Sequence, residues 1–255
     1  MLKKRAVVTP DKHFPYADIP AIKAVCKTIE LVEPNIYVDL GDTGEWEAFS
    51  KHKWRGKQKP PLEYLIDDFD RDVKNVNAGM DIIDESLDKV KCKEKHFVEG
   101  NHEQWLNFTV QEHPYLPQYL VPNALKLDER GYEYHPNGEY LDIGKLSFYH
   151  GNHYGGQYHT ANHLRKLGCN IMYGHWHDLQ HMSATHKDGP IGAWSIGCLK
   201  DMSDEVNAWL GHRKINWAHA FAIVDYYDNG RFTVDVVQII DGKARVWGQL
   251  IDGNK

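Results

Sequence analysis

Short apolar runs alternate with longer amphipathic ones along the first two thirds of the chain. Arg5–Thr9, Ile36–Leu40, His96–Glu99, Lys145–Tyr149 and Asn170–Tyr173 are brief and β-rich, and predict strands. Between them, Ile19–Leu31, Leu62–Val90 and His159–Leu167 carry helical spacing. Towards the C-terminus, FAIVDYY, RFTVDVVQII and ARVWGQL form a β-meander at about 217–250, joined by turns at Asp228-Asn229-Gly230 and Asp241-Gly242. The pattern predicts an α/β fold of mixed sheets packed together with helices outside. It reads as a single domain over 1–255, with a long helical insertion at about 62–90.

That helix has an unusual stripe. Leu62, Ile66, Phe69, Val73, Val76, Met80, Ile83, Leu87 and Val90 alternate steps of four and three, a heptad pattern. Two readings fit it: an amphipathic helix lying on its own domain, or a homodimer through residues 62–90. Gly79 inside the stripe weakens the helix locally.

Composition narrows the class. At 255 residues and 42% apolar, the chain suits one large domain. No run reaches the length of a membrane span, so no membrane partner is expected. The start, MLKKRAVVTPDKHF, lacks a signal-peptide core. Cys26, Cys92, Cys169 and Cys198 are scattered and form no C-x-x-C, so a reducing, cytoplasmic setting is expected. A net charge of −6 argues against whole-surface attraction to nucleic acid. Sixteen histidines raise the prospect of a metal site.

The candidate chemistry lies where the strands end. RAVVTP runs into Asp11-Lys12-His13, IYVDL into Gly41-Asp42, and KHFVE into Gly100-Asn101-His102-Glu103. KLSFY runs into His150-Gly151, and NIMY into Gly174-His175-Trp176-His177. Ligands of α/β sheets bind beyond the carboxyl ends of strands, and five such ends would gather these side chains in one pocket. An oxygen–imidazole mixture suits Mn, Fe or Zn. Seven candidate ligands are too many for one tetrahedral ion and enough for two, with an aspartate after a glycine as a candidate bridge.

The series D-x-H, G-D, G-N-H-E, H and G-H-x-H, in that order over residues 11–177, resembles the calcineurin-like metallophosphoesterase superfamily. The resemblance implies two mixed sheets packed as a sandwich flanked by helices, in four layers. It implies two divalent metal ions per chain, Mn first, with Fe, Zn, Ni or Mg as alternatives. Asp11, His13 and His177 would hold one metal. Asn101, His150 and His175 would hold the other, and Asp42 would bridge them. His102 would contact the phosphate and assist the leaving group, with Glu45 steadying it. In this reading the first GNH, at 100–102, is functional. In the second, at 151–153, the important residue is the preceding His150; Asn152 and His153 are candidates for the pocket lining, with a supporting structural role as the alternative.

The departures bear on substrate. Ser/Thr protein phosphatases of the superfamily grip phosphate with two arginines, whose places Trp46 and Glu99 take here. After Asp42, Lys51, Lys53, Arg55, Lys57 and Lys59 give five cations with no acid across residues 51–59, and Trp54 sits among them. Lys53, Trp54 and Arg55 are candidate substrate contacts for a polynucleotide backbone and base; the alternative is a solvated loop. The expected function is metal-dependent hydrolysis of phosphodiesters, including nucleic acid, by metal-activated hydroxide. The rivals are a phosphomonoesterase or small-nucleotide hydrolase, and a non-enzymatic scaffold. His159 and His163 lack the glutamate of a zincin motif and read as helix surface or pocket rim. His181 and His186 read as strand surface, and Trp176 as packing.

Overall fold

The apolar runs form the expected strands in the computed structural model, which describes residues 1–187, 189–211, 213 and 215–255. The chain runs β1 (Leu2–Thr9), α1 (Ile19–Val32), β2 (Ile36–Asp39), α2 (Ile66–Lys89), β3 (Glu94–Val98), α3 (Gln104–Glu112), α4 (Val121–Ala124), α5 (Leu127–Arg130) and β4 (Tyr132–His135). It continues with β5 (Leu141–Ile143), β6 (Leu146–Phe148), α6 (His159–Leu167), β7 (Ile171–Tyr173), β8 (Leu179–His186) and β9 (Gly189–Ile196). It ends with β10 (Ala220–Tyr227), β11 (Phe232–Ile240), β12 (Lys243–Val246) and β13 (Gln249–Asp252).

One sheet has eight strands in the order β13-β12-β11-β10-β1-β2-β3-β4, and the other has five, β5-β6-β7-β9-β8. β1 to β4 are parallel, with β10 to β13 added antiparallel. Strand alternation then sorts the core into layers. Ala6, Val8, Ile36, Val38 and Val98 of the first sheet meet Leu146, Phe148 and Met172 of the second, filling the sandwich. Val7, Tyr37 and Phe97 point the other way, under α1 and α2, while Ile171 and Tyr173 pack with Leu164 of α6. The result is helix, sheet, sheet, helix, the architecture expected from the motif series.

Some elements depart from the pattern. ARVWGQL is two strands, β12 and β13, so the meander has a fourth member. The β8–β9 hairpin escaped notice because β8, LQHMSATH, has no apolar alternation and is mostly exposed, His181 and His186 included. The 62–90 stripe faces the chain's own core. Phe69, Val76, Met80, Ile83 and Leu87 are buried, and Leu62, Ile66, Val73 and Val90 pack against the same cluster. The surface that suggested a homodimer is thereby used up, and α2 is the crossover between parallel β2 and β3. Gly79 has a reason to interrupt it: a Cβ there would lie 2.3 Å from Phe14 Cγ, so its absence lets the Phe14 ring reach the helix. Among the described residues no helix is long and apolar enough to cross a membrane.

Candidate metal centre

The five strand ends do converge. Donors bound to one cation at about 2.1 Å sit roughly 3.0 Å apart at octahedral angles and about 3.4 Å apart at tetrahedral ones. In one group, His177 Nε2 lies 3.1 Å from His13 Nε2 and 3.5 Å from Asp11 Oδ1. In the other, His150 Nε2 lies 3.2 Å from Asp42 Oδ2, 2.9 Å from Asn101 Oδ1 and 3.2 Å from His175 Nδ1. Asp42 Oδ2 is also 4.0 Å from His13 Nε2, so one oxygen faces both groups. Its other oxygen accepts the His102 main-chain N–H at 2.9 Å, which fixes that orientation.

The loops carrying these donors are held by buried hydrogen bonds. Both Asp11 oxygens accept the His175 N–H at 2.9 Å. His150 Nδ1 donates to Leu40 O at 2.8 Å, which leaves Nε2 as the candidate ligating atom. Glu103, fully buried, accepts the main-chain N–H groups of Asp42, Thr43, Gly44 and Gly100 and the indole N–H of Trp46. Beneath them, the buried Lys12 ammonium donates to Asp39 at 2.7 Å. His13, Asp42, His175 and His177 all adopt positive φ, a costly backbone for such residues and one that clusters at functional sites. Close approach of two loops also demands glycine at Gly100, where a Cβ would lie 2.3 Å from Asp42 N.

Electrostatics prepare the donors. Burial pushes His13 and His175 down to about 4, so both are neutral at pH 7 with a lone pair to offer. Burial disfavours a charged His150 as well, yet the Asp42 and Asp11 carboxylates lift it to about 10. Asp42 itself, despite its burial, is held well below the usual carboxylate range by His150 and His102. The pocket therefore calls for positive charge, and a cation competes with the His150 proton for that place. Oxygen and imidazole at these spacings fit a divalent cation of the Mn, Fe or Zn kind.

The layered α/β fold is the one that the motif series implies. No family model matches the chain. It is 23% identical to the Gene 54 protein of Mycobacterium phage L5, across 98% of this chain and 99% of that one. Among solved structures it is similar to wild-type Vps29 complexed with Zn2+ from Entamoeba histolytica, at 15% identity and a TM-score of 0.48, covering 98% and 99% of the two chains. It is also similar to YfcE, a phosphoesterase from E. coli, at 14% identity and a TM-score of 0.40, covering 92% and 100%.

The structure changes several side-chain assignments around the seven candidate ligands. Glu45 meets His102 through its main-chain carbonyl, which accepts from Nδ1 at 2.9 Å. Its carboxylate stands instead 2.9 Å from His13 Nδ1, out of hydrogen-bond alignment, and accepts from Lys200 Nζ at 2.8 Å. Trp54 is partly buried against the helical core, with Lys53 Nζ 5.5 Å from its ring centroid. His153 is exposed beside Tyr149 and does not line the metal cavity. Within the basic loop, Lys53 lies 3.9 Å from Asp68, and Lys51 and Lys59 pair with Glu112, while Arg55 and Lys57 are exposed. His159 and His163 are buried rather than on the rim. Tyr173 donates to His159 Nδ1, whose Nε2 donates to Asp178, and Tyr149 donates to His163.

Lys200, Trp209 and Trp217 line the cavity of about 280 Å³ with His13, Asp42, Asn101, His175 and His177, and sequence reading missed them because no motif marks the 200–217 segment. A second cavity of about 360 Å³ shares Glu45, Lys200 and Trp209 with the first and adds His52, Lys53 and Trp105. Together they make a groove from the donors towards the basic loop.

Proposed function

We propose that the protein is a two-metal phosphodiesterase whose substrates include nucleic acid. The observation that carries the reading is Asp42 Oδ2 standing between two donor groups, 3.2 Å from His150 and 4.0 Å from His13, with His102 on the same cavity. Asp11, His13 and His177 would hold one divalent cation, and Asn101, His150 and His175 the other. The cations would supply charge against the phosphate oxygens and acidify water at neutral pH.

The chain's own residues orient and move protons. His102 keeps Nδ1 on the Glu45 carbonyl and leaves Nε2 free to serve the departing oxygen. Its ring is braced by Trp105, centroid to centroid 4.2 Å. Trp46 and Glu99 are committed to the fold. The Trp46 indole serves Glu103, while Glu99 accepts from Asn107, Tyr134 and the Asn137 N–H. Among the described residues lining the metal cavity, Lys200 has the one side-chain ammonium, and Glu45 neutralises it. That poverty of free cations favours a monoanionic diester over a dianionic monoester. The exposed Trp209 beside Lys53 and Lys200 suits a base next to the scissile phosphate.

Metal content and turnover test this together. With Mn2+ the protein should hydrolyse a bis-aryl phosphodiester faster than the matching monoester. Asp42→Asn should impair both metal sites, and His102→Ala should keep them while losing roughly 10²- to 10⁴-fold in turnover. A strong monoester preference would overturn the diester assignment, and loss of metal from His102→Ala would overturn the role of His102.

A further inference from the structure

A second group of donors lies on the body of β3 and β4, away from the strand ends. His96 on β3 is the register partner of Glu133 on β4, and His135 follows two residues later, so alternation places all three on one face. That face is the sandwich side, because Val98, two residues from His96, belongs to the sandwich core. His96 Nδ1 lies 3.1 Å from His135 Nε2 and 3.4 Å from Glu133 Oε2, within the donor spacings of the candidate metal centre. His96 is 6% exposed, and its Nε2 has no hydrogen-bond partner. The Glu94 carboxylate stands 3.5 Å beyond that nitrogen, where it can orient a ring that ligates through Nδ1.

We propose that His96, Glu133 and His135 bind one Zn2+-class cation, at a site separate from the candidate metal centre. Two imidazoles and a carboxylate with a water complete a tetrahedral Zn2+ shell. The nitrogen-rich set favours Zn2+, Co2+ or Ni2+ over Mn2+ or Mg2+. β4 is the outermost strand of its sheet and pairs with β3 alone. The cation clamps that edge strand to its neighbour, and its role is structural.

The test is metal stoichiometry on the full chain, stripped with chelator and reloaded with micromolar Zn2+. The unmodified protein should hold three equivalents, and His96→Gln combined with His135→Gln should hold two with unchanged hydrolysis of a bis-aryl phosphodiester. Should the double variant misfold, the exposed Glu133→Gln is read instead, by loss of one set of Co2+ absorption bands. Equal metal content in the unmodified and double-variant proteins would overturn the site. So would a third equivalent that appears only at millimolar Zn2+, the mark of an adventitious ion only. Failure of the two-metal reading looks different: one equivalent would remain, sensitive to His96 and His135 and insensitive to Asp42→Asn.

Discussion

Gly174→Ala should strip a metal ligand without touching a ligand residue. Gly174 precedes His175, and its φ is not in the left-handed region, so alanine fits the backbone. The obstacle is steric: an added Cβ would lie 2.0 Å from Asp11 Oδ2 and 3.1 Å from Asp11 Cγ. Ordinary contact begins at 3.4 Å, so the carboxylate must retreat by 3.4 − 2.0 = 1.4 Å or the loop must open by as much. A metal–oxygen bond is only about 2.1 Å long, so a retreat of that size breaks it. It also pulls both Asp11 oxygens off the His175 N–H that aligns the second loop. Perturbing even an outer partner costs roughly 10- to 100-fold in metal affinity, so at least that is expected here. Calorimetric titration with Mn2+ would measure it, with Asp11→Asn as the comparison that removes charge and keeps size. If Gly174→Ala bound metal as tightly as the unmodified protein while Asp11→Asn did not, the packing argument would be wrong. If both bound normally, Asp11 would not be a ligand.

Other perturbations read other parts of the molecule. Gly79→Ala would gain up to about 1 kcal/mol of helix propensity in isolation, but the 2.3 Å clash with the Phe14 ring should leave it destabilised by about 1–3 kcal/mol in urea unfolding. Glu103→Gln turns an amide donor towards the N–H donors of Asp42, Thr43, Gly44, Gly100 and Trp46, and should cost about 3 kcal/mol or more in the same assay. Trp209→Ala should weaken single-stranded oligonucleotide binding by about 1–3 kcal/mol while leaving metal content intact, as fluorescence anisotropy beside metal analysis would show.

The seven candidate ligands were legible because each sits within a few residues of a short apolar run, and strand ends of an α/β fold share one edge. The runs implied mixed sheets with helices outside, and the resemblance of the motif series supplied the four-layer order. Residues that act through packing were not legible. Glu103 looks like the tail of G-N-H-E, and only the structure shows four backbone amides and an indole turned onto it. Trp54 has basic neighbours in sequence, and in space it packs against the core as well as under Lys53, a contact that no local pattern announces. His159 and His163 have the spacing of a solvent-facing helix stripe. Tyr149, Tyr173 and Trp176 cover that stripe, and this depends on strands on either side of the helix. The heptad pattern was read correctly as a seam, but a seam does not name its partner; α1 and the sheet supply it from within the chain.

The donor groups draw on both sheets: Asp11, His13, Asp42 and Asn101 follow strands of the larger one, and His150, His175 and His177 follow strands of the smaller. On the proposed assignment, each cation is a reversible cross-link across the sandwich. The link between His13 and His177 closes a loop of 164 residues. By the chain-entropy relation used for disulfides, a closure of that length restrains the unfolded chain by about 5 kcal/mol if it persists there. All four cysteines are free, three of them buried, so no covalent bridge supplies such a restraint. Chelation would then do to this molecule what a reductant does to a secreted one: it opens a ring.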